Sequence, residues 1–401
     1  MDLAKKLEEL RSPGRSGSDS KKIGTPEDWR SRMDLDSVKG GFVISSPRPE
    51  GEQTADATSV LAEFGLDPRD WVVSSMRRGK WQKYDGDYLE SLRVNLLPTG
   101  QVAEDSFDVE SLMDEIKKWR PAKGIKKSTG TGAFLVAPSD QQIGKKANGQ
   151  GTEQSIGRLL QLTESAVHKF EAYKRMGLSL GTICLALPGD HVEGNTSQHG
   201  RLQGLAASDL GLTEQTRVAR RLLLAQIKAF APLTESMIVP VINGNHDEVT
   251  RQVAADPADG WNVEIASAVQ DICAENPALA HVEFRYPSSG HQTLTVDVAG
   301  TMLGLFHGHQ ASQNNIMKFL SGHAAGQTAL GTADLWISGH FHNFRSMDIS
   351  QRLWLQCPTT DPGSEWYRDR SGMESKPGLL TAVIGGDFEP REFISVLAVR
   401  G

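Results

Sequence analysis

Residues 237–248 read Met-Ile-Val-Pro-Val-Ile-Asn-Gly-Asn-His-Asp-Glu, six apolar residues followed by six that are polar or glycine. A short apolar run of this kind predicts a buried strand. The loop after it, Gly244-Asn245-His246-Asp247-Glu248, gathers an amide, an imidazole and two carboxylates at consecutive positions. Because such a loop is held by a rigid scaffold, we expect it to present these side chains for chemistry.

Four further clusters of polar residues follow apolar runs in the same way. They are Pro138-Ser-Asp140-Gln-Gln142-Ile-Gly144, Leu187-Pro-Gly-Asp190-His-Val-Glu193-Gly194, Phe306-His307-Gly-His309 and Gly339-His340-Phe-His342. The runs before them, 133–137, 182–187, 302–306 and 335–338, predict strands. Glycine beside these motifs allows a sharp turn or a close approach of the backbone to an ion or phosphate. The pattern therefore predicts one site built from five loops.

The residue types in these loops are those of a divalent metal site. Carboxylates mixed with imidazoles and one amide suit Mn, Fe or Zn better than Ca. Two ions sharing one carboxylate would lie about 3.5–4 Å apart, and such a pair can activate water and stabilise a phosphoryl centre. Each motif alone has an ordinary explanation, since an aspartate after a strand can be a cap or turn residue. All five in this order favour the metal site.

The ordered set resembles the calcineurin-like metallophosphoesterases over about residues 133–400. That family shares Asp-x-His, Gly-Asp-x-x-Asp/Glu, Gly-Asn-His-Asp/Glu, a later histidine and Gly-His-x-His. The resemblance implies an α/β fold, a four-layer β-sandwich flanked by helices. It also implies two divalent ions, with Mn²⁺ preferred and Zn, Fe, Ni or Mg as alternatives. The implied ligands are Asp140, Gln142, Asp190 and His342 for the first ion, and the bridging Asp190 with Asn245, His307 and His340 for the second.

The same resemblance implies roles for neighbouring side chains. His246 would face the substrate and either stabilise phosphate charge or protonate the leaving group, while Asp247 would orient its imidazole. The implied nucleophile is a metal-bound hydroxide. The candidate substrate contacts are His191, Asn245 and His309. A role inside the fold or in solvent is the alternative for His191, and a supporting role beside the ligands is the alternative for His309.

The chain departs from the family pattern at Gln142, where a histidine is usual. A glutamine amide oxygen binds a late transition metal more weakly than an imidazole does. We therefore expect the first site to hold its metal loosely or to prefer a harder ion such as Mn²⁺. The alternative is that Gln142 contacts only a metal-bound water.

The order of predicted elements divides the chain into a small domain and a larger one. Residues 1–22 are polar and predict a disordered tail. Residues 23–122 predict a small α+β accessory domain, and residues 123–132 a linker. Residues 133–401 alternate strands with helices and end in a β-rich stretch, which predicts sheets packed face to face with helices outside.

The metal motifs do not select a substrate, because one fold serves many activities. Residues 76–83 group four cations with Trp81, a combination that can contact phosphates and stack a base, or can form a solvated hairpin rim. This region also resembles metallophosphoesterases encoded by phages of actinobacteria. We expect a phosphodiesterase or DNA nuclease. The alternatives are a phosphomonoesterase acting on small molecules or proteins, and an inactive nucleic-acid-binding or virion protein.

The bulk composition sets the remaining bounds. The chain has 401 residues and a formal net charge of −7, which excludes a general polyanion binder but not a local basic patch. Its three cysteines, Cys184, Cys273 and Cys357, match no zinc-knuckle spacing and indicate a reducing compartment. We expect a cytoplasmic protein, in the host cytoplasm if phage-encoded, with no membrane partner. The sequence does not determine an oligomeric state.

Overall fold

The structure is a computed structural model that describes residues 31–36, 40–49, 57–82, 88–98, 109–118, 127–195, 208–250, 255–363, 372 and 376–399. The chain divides into two compact units, Met1–Ser106 and Phe107–Gly401. The tail predicted at 1–22 lies outside the described residues, as do residues 123–126 of the predicted linker.

The first unit contains an antiparallel sheet and a short helix. Its elements are β1 (Arg32–Asp36), β2 (Gly40–Ile44), β3 (Arg48–Pro49), α1 (Ala57–Glu63), β4 (Trp71–Gln82) and β5 (Tyr88–Pro98). Strand β5 pairs with β2 and β3 along one edge and with β4 along the other. Val60 and Leu61 of α1 share a small core with Val43 and Val94 of the sheet. This packing stabilises the short helix against the sheet.

The second unit alternates helices and strands. The described helices are α2 (Val109–Lys118), α3 (Thr152–Arg175), α4 (Leu212–Phe230), α5 (Trp261–Ala274) and α6 (Ile316–Ala325). The strands are β6 (Gly132–Ala137), β7 (Leu180–Leu185), β8 (Ser236–Pro240), β9 (Val282–Arg285), β10 (Thr293–Val298), β11 (Thr301–Phe306), β12 (Leu335–Ser338), β13 (Arg345–Ile349), β14 (Arg352–Gln356), β15 (Gly378–Ile384) and β16 (Ser395–Ala398). None of the helices in the described ranges combines the length and hydropathy needed to span a bilayer.

These strands form two sheets that face each other. One has the order β16-β15-β6-β7-β8-β9 and the other the order β10-β11-β12-β14-β13. Apolar side chains of both sheets, among them Leu135, Leu305 and Ile337, meet in one core. Helices α3, α4 and α5 cover the outer face of the first sheet, and α6 covers the outer face of the second. The mixed α/β fold predicted from the sequence is confirmed, with four layers.

The direction of the strands explains where the polar loops meet. Strands β6, β7 and β8 run parallel, and so do β11 and β12. Their carboxyl ends therefore lie at the same edge of each sheet, where ligand sites of α/β sheets are usually found. Each of the five polar clusters begins at or just after one of these ends. The parallel direction of these strands thus brings residues from five distant stretches of sequence together.

The division between the units falls earlier than the sequence indicated. We expected the accessory domain to extend to residue 122, which would include α2. The structure instead groups α2 with the larger unit. Leu112, Met113 and Ile116 share a core with Leu159 of α3 and Leu222 of α4. The apolar stripe of α2 was visible in the sequence, but the surface that it covers was not.

Candidate metal centre

Strained backbone marks the site. Nine residues other than glycine have a positive φ among those described, and five of them are predicted metal ligands: Asp140, Gln142, Asp190, His340 and His342. Their φ values run from 42° for Gln142 to 72° for His340, in the left-handed region that such residues rarely adopt. Strain of this kind persists only where the surrounding structure enforces it, and it concentrates at functional sites.

Asp190, His307 and His340 form the tightest group of potential ligands. One ligand atom from each lies within 4.8 Å of the others. His307 Nε2 lies 2.9 Å from Asp190 Oδ2 and 3.1 Å from Asn245 Oδ1. On the other side of the ring, His307 Nδ1 lies 2.8 Å from the carbonyl oxygen of Pro188. That backbone contact fixes the ring so that Nε2 points at the carboxylate and amide oxygens.

This group fits a divalent ion. Metal–ligand distances of about 2.1 Å place neighbouring ligand atoms about 3.0–3.4 Å apart, which matches the spacing around His307 Nε2. Asp190 Oδ2 is buried and faces Nε2 of the His307 imidazole. Burial alone would lower the pKa of His307, but Asp190 raises it to about 9. The position therefore attracts positive charge.

The position predicted for the first ion, beside Asp140 and His342, is built differently. Asp140 lies 3.3 Å from His342 Nε2, and its two carboxylate oxygens both accept from the backbone N–H of His340 at 3.0 Å. The hydroxyl of Ser139 also donates to Asp140. His342 Nδ1 lies 3.1 Å from Asp361 Oδ2. Burial alone would lower the pKa of His342, but Asp361 and Asp140 raise it to about 10.

Gln142 does not present its amide oxygen to an empty position. That oxygen accepts a hydrogen bond of 2.6 Å from the ammonium of Lys145, which also pairs with Asp361. Gln142 Nε2 faces His246 Nε2 at 3.2 Å. Burial alone would lower the pKa of Lys145, but Asp361 and Glu193 raise it above its ordinary value. Lys145 therefore carries its charge inside the site.

His246 lies beside these groups, as predicted, but its orienting partner is different. Its Nδ1 lies 3.0 Å from the carbonyl oxygen and 3.3 Å from Oε2 of Glu193. Its Nε2 is 4.0 Å from Asp190 Oδ2. Burial alone would lower the pKa of His246, but Asp190 and Glu193 raise it to about 9. The imidazole of His246 can therefore be protonated at neutral pH.

Asp247 braces the loops instead of holding His246. Its Oδ2 accepts hydrogen bonds of 2.7 Å from the backbone N–H groups of Asp190 and Gly244. Burial and the nearby Asp190 raise the pKa of Asp247 to about 7. The expected Asp247–His246 pair is thus replaced by a clamp between the second and third polar loops, and Glu193 takes the orienting position.

The two histidines proposed as substrate contacts have different surroundings. His191 is 2% exposed, and its Nε2 lies 3.0 Å from the carbonyl oxygen of Pro138. The His191 ring therefore has a structural role inside the fold, which was the alternative to a substrate contact. The ring of His309 lies 5.4 Å from that of His307. His309 also lines a cavity of about 410 Å³ with Asn243, Glu248, Asp256 and Asp259, so it stays a candidate substrate contact.

Sequence reasoning missed Lys145 and Asp361. Asp361 is 1% exposed and contacts both Lys145 and His342. It follows strand β14 just as the predicted ligands follow their strands, so the rule that found Asp140 would have found it. Lys145 has no such signal, because a lysine in a polar loop is ordinarily solvent-exposed.

Comparisons with known proteins give weak structural likenesses. No protein-family model matches the chain, and no curated protein matches its sequence. A solved structure of Vps29 with Zn²⁺ from Entamoeba histolytica is 12% identical, with a TM-score of 0.29, covering 63% of this chain and 87% of that one. An archaeal phosphodiesterase is 13% identical, with a TM-score of 0.29, covering 66% and 99%. A predicted phosphoesterase from Streptococcus pneumoniae is 14% identical, with a TM-score of 0.28, covering 66% and 97%.

Scores and identities this low assign neither a family nor an activity to this chain. The resemblance to calcineurin-like metallophosphoesterases therefore depends on the polar motifs and on their geometry. The suggested origin in an actinobacteriophage stays a prediction.

Proposed function

We propose that this chain is a metal-dependent hydrolase of phosphoesters, with phosphodiesters as its substrates. The proposal depends above all on the group formed by Asp190, His307 and His340, whose ligand atoms lie within 4.8 Å of one another. Asn245 adds an amide oxygen to this group. Mixed oxygen and imidazole donors suit Mn²⁺, Zn²⁺ or Fe²⁺, and we take Mn²⁺ as the first ion to test.

A divalent ion held by these residues would lower the pKa of a water molecule and offset charge on the phosphoryl oxygens. The chain's own residues supply the remaining functions. His246, held at Nδ1 by Glu193, faces the site through Nε2 and can donate a proton to the leaving oxygen. Lys145 adds a fixed positive charge. Asp247 keeps the loops of Asp190 and Gly244 at the separation that the ligands require.

The distribution of charge favours a diester over a monoester. Within the buried site, the ammonium of Lys145 and the proposed ion offset the carboxylates of Asp140, Asp190, Glu193 and Asp361. Three further acids, Glu248, Asp256 and Asp259, line the adjacent cavity. A phosphodiester carries one negative charge near neutral pH, whereas a monoester carries about −1.5 to −2. The less charged substrate is repelled less by the three acids of the cavity.

The test compares two chromogenic substrates after metal removal and reloading. The chain with added Mn²⁺ should hydrolyse bis(p-nitrophenyl) phosphate with a higher kcat/KM than p-nitrophenyl phosphate. Asp190→Asn should lose both bound metal and turnover. Asp387→Asn, which changes an exposed aspartate in the turn after β15, is the matched control and should behave like the unchanged chain. Failure to bind metal together with no turnover of either substrate would refute the proposal.

DNA is the second candidate substrate because β4 exposes basic side chains. Arg77, Arg78 and Lys80 are exposed, although Arg78 lies 3.6 Å from Glu90 and Lys80 lies over the ring of Tyr88. The side chain of Trp81 and the whole of Lys83 lie outside the described residues. Cleavage of single- or double-stranded DNA in the same Mn²⁺ assay, with loss of cleavage in Asp190→Asn, would extend the proposal to a nuclease.

A further inference from the structure

We propose that the site takes one divalent ion, held by Asp190, His307 and His340, and that the ammonium of Lys145 occupies the place of the other ion, which the sequence motifs assign to Asp140, Gln142 and His342. The inference rests on the proposed function, because it concerns the same site. It departs from the sequence-based expectation of two ions. Three features of the described residues support it: the partners of Gln142, the partners of Asp140 and the burial of Lys145.

The amide oxygen of Gln142 is already bound. Lys145 Nζ lies 2.6 Å from it, and this oxygen is the only atom of the side chain that can ligate a cation. Because metal–oxygen bonds are about 2.1 Å long, an ion ligated there could lie no farther than about 5 Å from the ammonium. Where the family's histidine would bind a metal ion, Gln142 thus accepts a hydrogen bond from the Lys145 ammonium.

The carboxylate of Asp140 is also engaged by donors from the protein. The backbone N–H of His340 bonds to both oxygens, and Ser139 bonds to Oδ2. His342 Nε2 faces Oδ1 at 3.3 Å. A ligand carboxylate needs an oxygen lone pair directed at the ion, whereas here donors from the protein surround both oxygens. Asp140 therefore serves as an anchor for the loop containing His340 and His342.

Lys145 is held in place by a buried counter-charge. Its side chain is 13% exposed and pairs with Asp361, whose side chain is fully buried. Asp361 in turn faces His342 and accepts from the backbone N–H of Gly363. A lysine is rarely buried unless it is paired, so this arrangement fixes one positive charge beside the proposed ion. The ammonium has three N–H donors and directs two of them at Gln142 and Asp361, so the third can donate to a phosphoryl oxygen.

The remaining ligands agree with a single ion. Asp190, His307 and His340 form the only group of three or more histidine, cysteine or acidic ligands found among the described residues. No such group includes His342 within the part of the chain that the structure describes. One ion held by Asp190, His307 and His340 and the ammonium of Lys145 near Asp361 would flank the substrate phosphate with positive charge from two sides.

The experiment counts the ions directly. The full chain is stripped of metal, reloaded with Mn²⁺ and analysed by mass spectrometry of the metal and by low-temperature electron paramagnetic resonance. We expect one Mn²⁺ per chain with the six-line signal of an isolated ion. His340→Ala should lose that ion, whereas His342→Ala should keep it. Two ions per chain with a spin-coupled signal would overturn the inference and leave the proposed function intact. Loss of both metal binding and turnover in the unchanged chain would defeat the proposed function itself.

The lysine is tested by removing its charge. Lys145→Met leaves Asp361 and the amide oxygen of Gln142 without their cation, so these oxygens and His342 should take a second Mn²⁺ and the variant should reach two ions per chain. Lys146→Met removes the neighbouring lysine and is the matched control, which should stay at one ion. Lys145→Arg keeps the charge and should also stay at one. A folded Lys145→Met that still binds one ion would overturn the role of Lys145. If that variant does not fold, Lys145→Gln gives the same comparison.

Discussion

At the scale of single residues, the chemical type of a side chain was easier to predict than its partner. The sequence identified His246 and Asp247 as neighbours and suggested that they pair. In the structure, Asp247 accepts hydrogen bonds from two backbone N–H groups, and Nδ1 of His246 contacts Glu193 instead. Adjacent residues on a tight loop point in different directions, and which way each points depends on strands far away in sequence. Spacing alone does not contain that information.

Gln142 shows the same limit. The sequence marked it as a departure from the expected histidine and left two interpretations, a weak ligand or a contact to a metal-bound water. Neither included Lys145, three residues later, because a lysine on a loop is normally solvated. The turn that closes between Gln142 and Lys145, with a backbone hydrogen bond of 2.9 Å, brings the ammonium back onto the amide oxygen.

His246→Ala is the direct test of the proton donor. The variant should keep its bound metal and lose about 10²–10⁴-fold in kcat, because a positioned acid or phosphate-stabilising group contributes that much. His291→Ala removes an exposed histidine outside the site and should leave kcat unchanged. Steady-state kinetics with bis(p-nitrophenyl) phosphate and parallel metal analysis give the comparison. Loss of metal in His246→Ala would show that the ring is a ligand.

At the scale of elements, the strands were predicted better than the contacts between their loops. Apolar runs located β6, β7, β8, β11 and β12, and the residues after them reached one edge because those strands are parallel in each sheet. The close approach of the loops was foreseen only in general terms, through the glycines beside them. The left-handed conformation of Asp140 and Asp190 was not foreseen, since non-glycine residues adopt it only under constraint.

Gly244→Ala should disrupt the metal loops. A Cβ at this position would lie 2.1 Å from Asp190 Oδ1 and 2.7 Å from His307 Cε1, so two ligands would have to move. We expect the variant to lose metal affinity and about 1–3 kcal/mol of stability, the usual cost of overpacking. Equilibrium urea unfolding and Mn²⁺ titration measure the two effects.

Gly157→Ala is the matched control for that substitution. Gly157 lies inside α3, and a Cβ there meets nothing within 4 Å. Alanine has the higher helix propensity, so this variant should gain about 0.5–1 kcal/mol and bind metal normally. Equal stability losses in both variants would mean that the proximity of Gly244 to the ligands has no special importance.

At the scale of the whole molecule, the α/β class and the presence of two units followed from the order of elements, whereas the boundary did not. A Gly- and Lys-rich stretch at 123–132 suggested a linker, but α2 precedes it and packs with α3 and α4. A helix with one apolar face needs a partner surface, and the sequence does not say which unit provides that surface. Composition therefore did not locate the edge of the folded unit.

Two truncations separate these boundaries. Residues 107–401 keep α2 and should fold, bind Mn²⁺ and hydrolyse bis(p-nitrophenyl) phosphate with the kcat of the full chain. Residues 123–401 lack α2 and uncover apolar side chains of α3 and α4, including Leu159 and Leu222. Because full burial of each large apolar side chain contributes about 1.5–3 kcal/mol, the shorter piece should unfold at a clearly lower urea concentration or aggregate. Equal urea midpoints for the two pieces would place α2 outside the catalytic unit and restore the boundary that the sequence suggested.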